Sequence, residues 1–199
     1  LHKRLRCFSL VCSFAEDSSI VTAKSRQIID SCNLILSSDK LAQILQKMLA
    51  IGNIMNQGTH RGQASGFTLD SLLKMVHTKG VDRKTTILDY VVKSTIDRGD
   101  EKLLDILDDL TILEQSVKLS GKDTMVEASN VNRNFEDMKS SLTETEEHIA
   151  SSGYDPTLLP LSEHYVKNLR SELDTFEVIW EDSIRASEIM KRKVIEVVE

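Results

Sequence analysis

Apolar residues recur along most of this chain at three- and four-residue intervals, the period of amphipathic helices. Leu1, Leu5, Phe8 and Val11 or Cys12 open the pattern. It predicts a first helix ending between Phe14 and Asp17. A second is expected from about Ser19 to Leu36, with Ile20, Ala23, Gln27, Ile28, Ile29, Cys32 and Ile35 on its periodic side. Ser37 or Ser38 is placed to cap a third helix, whose apolar stripe is Leu41, Ile44, Leu45, Met48, Ile51, Gly52 and Met55. Gly52 falls on that stripe. A glycine inside a helix costs roughly 1 kcal/mol relative to alanine, which suggests that something approaches the backbone closely there.

The glycine-punctuated stretch from Gln57 to Gly66 reads as a loop, followed by a short helix with Thr68 as N-cap and Leu69, Leu72, Leu73 and Met75 turned inward. A polar, basic link from His77 to Lys84 precedes a helix near Thr85 to Thr95, closed by Asp97-Arg98-Gly99. A further helix carries Leu103, Ile106, Leu107, Leu110, Leu113 and Val117.

The last 80 residues change character. Ala128, Val131, Phe135, Met138, Leu142, Thr145 and Ile149 are spaced alternately by three and four, which is a heptad seam. After Gly153-Tyr154-Asp155-Pro156 and Pro160 the seam returns at Val166, Leu169, Leu173, Phe176 and Trp180. It resumes at Met190, Val194 and Val197 across Ser183 and Ser187. Two helices of about 45 to 50 Å each, joined by a proline-bearing turn, should form an antiparallel hairpin. The fold class expected is all-α: an elongated helical bundle with a long coiled-coil-like hairpin at its C-terminal end. Residues 1–116 would supply the shorter helices and 117–199 the hairpin.

Composition agrees with this reading. Two prolines and eight glycines in 199 residues leave few of the turns that a sandwich or barrel needs. Aromatic residues make up 5% and the net charge is −6, which argues against a general nucleic-acid binder. The charge is uneven. Residues 1–99 carry 14 Lys and Arg against 8 Asp and Glu, a balance of +6, and residues 100–199 carry 11 against 23, a balance of −12. The basic half could face an acidic partner. Cys7, Cys12 and Cys32 lie in apolar helical patterns without metal-ligand spacing, so buried, reduced thiols in a cytoplasmic protein are expected. No apolar run approaches the ~20 residues that span a bilayer. The chain opens inside a helical pattern without a methionine and is read as a fragment of a longer protein.

The sequence lacks the common catalytic patterns G-x-x-x-x-G-K-[ST], G-x-G-x-x-G after a strand, H-E-x-x-H and G-x-S-x-G. Gly58, Gly62 and Gly66 beside His60 and Arg61 fit a loop needing permissive backbone angles better than a phosphate cradle. Adjacent carboxylates such as Asp108 with Asp109 and Glu146 with Glu147 diverge by about 100° around a helix, which suits a solvated face. A di-iron site would need Glu-x-x-His, but Thr145 and Leu161 stand three residues before His148 and His164. The chain is therefore read as a non-enzyme with no cofactor and no metal. Asn53 and Asn56, at the end of the third helix, can bond orphan carbonyls or hold the loop that follows. Lys74, Lys79, Arg83 and Lys84 gather basic charge around one link.

The segment LAIGNIMNQGTHRGQASGFTLDSLLKM, Leu49 to Met75, resembles the signature of the formin homology 2 domain: a G-N-x-x-N helix end, a variable loop, then G-F-x-L-x-x-L. HTKGVDRKTTILDYVVK, His77 to Lys93, is similar to the family's lysine-bearing link and following helix. Lys3 to Phe14 resembles the segment that begins its central coiled coil. The resemblance implies actin binding, with a part in filament nucleation and in processive elongation at the barbed end, in the cytoplasm at the actin cytoskeleton. It also implies a head-to-tail homodimer, in which an N-terminal lasso of one subunit encircles the post of a second formin subunit. Gly52, Asn53, Asn56, Gly66, Phe67 and Leu69 would belong to the post, giving Gly52 a close approach between chains. Lys79 matches the family's basic residue near the post that contacts actin, with Arg83 and Lys84 as secondary candidates. Assembly of this kind is non-covalent templating, so the resemblance implies no catalytic residue.

Nothing in the chain resembles the lasso, the linker or most of the knob, so a partial domain is expected. It should be either monomeric or artificially dimeric through an uncovered groove, and a poor nucleator alone. A helical scaffold or tethering rod with no actin role accounts for the heptad hairpin equally well. The stretch from Gly52 to Lys84 separates the two readings, because a rod has no need of a buried glycine, two asparagines and a basic loop between its helices.

Overall fold

The computed structural model describes residues 2–80, 82–151 and 159–198, the side chains of 2–4, 69, 107, 112, 159–162 and 198 excepted. Its helices are α1 (His2–Ser37), α2 (Asp39–Met55), α3 (Leu69–His77), α4 (Ile87–Asp97), a 3-10 turn (Glu101–Asp105), α5 (Ile106–Asp109), α6 (Thr111–Ser116), α7 (Gly121–Ala150) and α8 (Leu159–Val198). Among the described residues there is no strand. One isolated antiparallel bridge pairs Lys79 with Thr86. The fold is all-α. Two compact units form, one from residues 1–33 with 115–199 and the other from 34–114.

In the first unit α7 and α8 pack as the heptad seam requires. Ala128, Val131, Phe135 and Met138 meet Leu169, Leu173 and Phe176 in one core, with Leu142, Tyr165 and Trp180 at its edge. Phe135 is fully buried, its ring 5.0 Å from Trp180 and 5.6 Å from Phe14 of α1. The Trp180 indole N–H donates to Asn132 Oδ1 at 3.0 Å, which lets a polar edge sit in the seam. α7 has the expected length of about 45 Å, but α8 runs 40 residues, about 60 Å, longer than the seam alone indicated. Pro160 lies in the first turn of α8, where a missing N–H costs no helical hydrogen bond. The turn residues Gly153 to Pro156 lie outside the described residues.

The two helices expected before Leu36 are one. α1 continues through Ala15 to Ser19 because no proline or glycine interrupts it and its buried positions do not change face. Cys7, Val11, Phe14, Ser18, Val21, Ser25, Ile28 and Cys32 alternate by four and three, a heptad seam that contributes to the same cores. Ile20, assigned to the inner side, is instead exposed. Two seam positions are serines, and that hid the pattern. The hydroxyls of Ser18, Ser25 and Ser183 are buried without a hydrogen-bond partner among the described residues. Ion pairs Arg6–Asp137, Lys24–Glu127 and Arg26–Asp182 flank the seam at 2.7 to 2.8 Å. Cys7 and Cys32 are buried and burial pushes the Cys32 thiol up. Cys12, expected inside, is exposed, since it points off the seam. All three are free thiols.

The second unit is built on Met48, Ile87 and Val91, with Ile44, Ile51, Leu72, Met75 and Val76 packed against them. Ser38 caps α2, its Oγ accepting from Leu41 N. Leu73, expected inward, is 64% exposed, because a nine-residue helix turns only one narrow face to α4. The single helix expected around Leu103 to Val117 is broken into the 3-10 turn, α5 and α6. Leu103 and Ile106 are buried while Val117 is exposed, so no single stripe runs the length of the segment.

Candidate functional site

The end of α2 is tied to the loop that follows by the two asparagines. Asn53 clamps the backbone of Ala64, donating from Nδ2 to its carbonyl at 2.9 Å and accepting its N–H on Oδ1 at 2.8 Å. Asn56 closes the helix. Its Nδ2 and its backbone N–H both donate to the Gly52 carbonyl, and its own carbonyl accepts from the backbone and hydroxyl of Thr59. These bonds satisfy carbonyls that a helix C-terminus otherwise leaves to water. Gly62 completes the loop. A Cβ there would lie 2.7 Å from the Asn56 carbonyl oxygen, so only glycine lets the chain pass.

Gly52 makes its close approach within the chain: a Cβ at that position would stand 3.1 Å from the terminal methyl of Met75 on α3. The glycine therefore seats α3 against α2. Gly66 is exposed with open space around it, and Phe67 is half-buried just before the Thr68 cap of α3. Leu69 opens α3, but its side chain lies outside the described residues.

The link between α3 and α4 is a tight, hydrogen-bonded turn. Gly80 N donates to the Thr85 carbonyl at 2.8 Å and Ile87 N to the Thr78 carbonyl at 3.1 Å, flanking the Lys79–Thr86 bridge. The Asp82 carboxylate accepts from the Thr85 hydroxyl and from the backbone N–H groups of Lys84 and Thr85. The Thr85 hydroxyl and these amides hold its carboxyl below the usual carboxylate range. Arg83 sits at φ 57°, an angle that turns the chain sharply and leaves the side chains of Asp82, Arg83 and Lys84 exposed. Thr86 and Asp89 form a capping box at the start of α4.

These elements enclose an open groove of about 630 Å³. Ile51, Ile54 and Met55 of α2 and Tyr90 of α4 give it an apolar wall, and Lys79 stands exposed at its edge with Thr86 beside it. Ile54 is 69% and Tyr90 55% exposed, so large apolar surface faces water here. The structure brings Lys79 to the groove; Arg83 and Lys84 share its turn without lining the groove. Sequence reasoning missed Ile54 and Tyr90, although both are large apolar residues standing off the core stripes of their helices. It also missed Asp82, and it named Gly62 as a loop glycine without its approach to the Asn56 carbonyl. Among the described residues no group of three or more His, Cys, Asp or Glu could hold a metal ion, and no helix is long and apolar enough to cross a membrane.

The chain matches the Formin Homology 2 Domain family over residues 1–190. It is 34% identical to Formin-like protein 19 of Arabidopsis thaliana over 146 residues, 73% of this chain and 31% of that protein. It is 37% identical over 136 residues to Formin-like protein 5 of Oryza sativa subsp. japonica, 68% of this chain and 8% of that protein. It is 34% identical over 174 residues to Formin-like protein 6 of the same organism, 87% of this chain and 12% of that protein. The chain belongs to the formin homology 2 family. It spans under a third of the length of each of these relatives.

Proposed function

We propose that this chain is the post and coiled-coil part of a formin homology 2 domain and contributes to actin-filament nucleation and processive barbed-end elongation in the full-length protein. It acts by non-covalent templating in the cytoplasm, at the actin cytoskeleton, and not as an enzyme. The observation that carries the reading is the groove beside the α3–α4 turn, where an exposed lysine stands at the edge of exposed apolar surface. An acidic protein partner fits such a site: Lys79 supplies the charge that steers it, with Arg83 and Lys84 adding to the field, and Ile54, Met55 and Tyr90 supply area to bury. Actin is acidic and is the partner. The neighbouring surface of Gly52, Asn53, Asn56, Gly66, Phe67 and Leu69 receives the lasso of a second subunit, and the Asn53 clamp on Ala64 supports this by fixing the loop's shape before the lasso arrives.

Pyrene-actin assembly and filament cosedimentation test the reading with three proteins: this chain, a version extended upstream through a lasso and knob, and Lys79→Asp in the extended version. The expected outcome is faster assembly with the extended protein, loss of that on Lys79→Asp by about tenfold or more, and little effect from the chain alone. An extended protein that neither binds filaments nor alters assembly would leave the helical scaffold as the reading.

A further inference from the structure

We infer that Thr86 is a phosphate-acceptor site for a serine/threonine kinase that reads basic residues, and that its phosphate pairs with Lys79. Three observations meet at this residue. The first is sequence: Arg83 and Lys84 stand three and two positions before Thr86, and apolar Ile87 follows it. An arginine at that distance can be gripped by carboxylates of a kinase cleft in a bidentate pair, and a basic residue next to it adds to the grip.

The second is presentation. Arg83 and Lys84 project from the α3–α4 turn into water, and neither makes an ion pair among the described residues. Thr86 is half-buried at the N-cap of α4, held by Asp89 N donating to its Oγ1 at 3.1 Å and by its own hydroxyl donating to Asp89 Oδ2 at 2.8 Å. Freeing it for a kinase requires opening the α4 cap and lifting Ile87, a core residue of this unit, with the first turn of the helix, a local opening that leaves Met48 and Val91 in place.

The third observation gives the consequence. Lys79 and Thr86 are bridge partners, and the flanking bonds, Gly80 N to Thr85 O and Ile87 N to Thr78 O, make them a non-hydrogen-bonded antiparallel pair. Side chains of such a pair project on the same face, with Cα atoms about 4.5 Å apart. Both residues line the groove. A phosphate on Thr86 Oγ1 is therefore within reach of the Lys79 ammonium.

The chemistry balances with ATP as the co-reactant. Thr86 Oγ1 bonds to the γ-phosphorus as the bond from that phosphorus to the β–γ bridging oxygen breaks, ADP leaves with that oxygen, and the hydroxyl proton passes to the kinase's carboxylate base. The product carries about −1.5 to −2 charges beside a single lysine, so the groove edge changes sign, while the Asp89 carboxylate across the cap is repelled. The consequence for actin rests on the function proposed above: modification would release the acidic partner.

The test uses the whole 199-residue chain with Mg-ATP and the catalytic subunit of cyclic-AMP-dependent protein kinase, with the site mapped by mass spectrometry. Phosphorus NMR then follows the phosphate's second ionisation. Expected are phosphate on Thr86, none there in Thr86→Val, and labelling slowed about tenfold or more by Arg83→Ala. The second pKa should lie below the ordinary value of about 6 and rise again in the phosphorylated Lys79→Ala chain. Labelling of Thr85 in place of Thr86, no labelling while a reference peptide is labelled, or a second pKa indifferent to Lys79→Ala would each overturn the inference. If labelling and pairing occur but filament binding by the extended protein is unchanged, the actin reading is what fails.

Discussion

The smallest features that hold this site are single atoms, and their removal or addition has readable effects. A Cβ at position 62 would press on the Asn56 carbonyl oxygen, a backbone atom that cannot rotate away. Gly62→Ala should therefore cost about 1–2 kcal/mol, confined to the loop. Amide exchange at Gly62, whose N–H donates to Thr59, and at Ala64, bound by Asn53, should speed up about tenfold, while α4 amides keep their protection. Ser25 is the converse case. Its hydroxyl is buried without a partner, so Ser25→Ala deletes a desolvated polar group and almost no volume. The melting temperature should rise or hold; a fall would mean that the hydroxyl has a partner in solution. Neither feature was legible beforehand. A glycine in a polar loop gives no hint of which carbonyl it must pass, and a serine on a seam reads as a break in it.

At the scale of elements, the pattern told most where apolar side chains filled every seam position. Ala128, Val131, Phe135, Met138, Thr145, Leu169, Leu173 and Phe176 were assigned to the seam and are buried, with Leu142 half-buried at its edge. α1 was divided because Glu16-Asp17-Ser18-Ser19 looks like a boundary, yet small seam residues preserve the period that large ones advertise. The caps were readable at Ser38 and Thr68, since an N-cap hydroxyl acts through a local rule. The α3–α4 turn shows how such local bonds titrate. The Thr85 hydroxyl and the Lys84 and Thr85 amides depress the Asp82 pKa, and the Thr86 amide and hydroxyl depress that of Asp89. A carboxylate whose folded pKa is depressed contributes stability above its unfolded value and loses it as pH falls through the folded one. The turn should thus hold its shape above the model-peptide value of 3.8 and loosen below it. Carboxyl carbon NMR titration should place both midpoints under 3.8, and Thr85→Val should raise that of Asp82 and leave Asp89 in place.

Across the whole molecule, the chain's organisation follows from which apolar groups meet. Two cores of the first unit, around Phe135 and around Met190, draw on α1, α7 and α8, and the core around Met48 draws on α2, α3 and α4. The sequence pattern could not assign residues 1–33 to the same unit as 115–199, because periodicity reports that a face is buried but not what buries it. Family motifs singled out Asn53, Asn56 and Lys79, which lie at the end of α2 and at the groove, whereas the juxtaposition of Ile54 with Tyr90 left no signal in the sequence.

Separate cores imply separate responses to damage. Phe135 is fully buried between Phe14 and Trp180, with Lys139 Nζ 4.6 Å from its ring centre, so Phe135→Ala removes a large side chain from the middle of one core. The cost should be about 3–5 kcal/mol, since helices held at three contacts around the ring cannot all collapse into the space. Trp180 is the single tryptophan and touches that ring, so its fluorescence in a urea titration reports this unit alone. The buried residues Val91 and Thr95 of α4 report the other through amide exchange. The tryptophan transition should move to lower urea while Val91 and Thr95 keep their protection without denaturant. Loss of both together would mean that the two units unfold as one cooperative body, and that damage to the hairpin reaches the groove at Lys79.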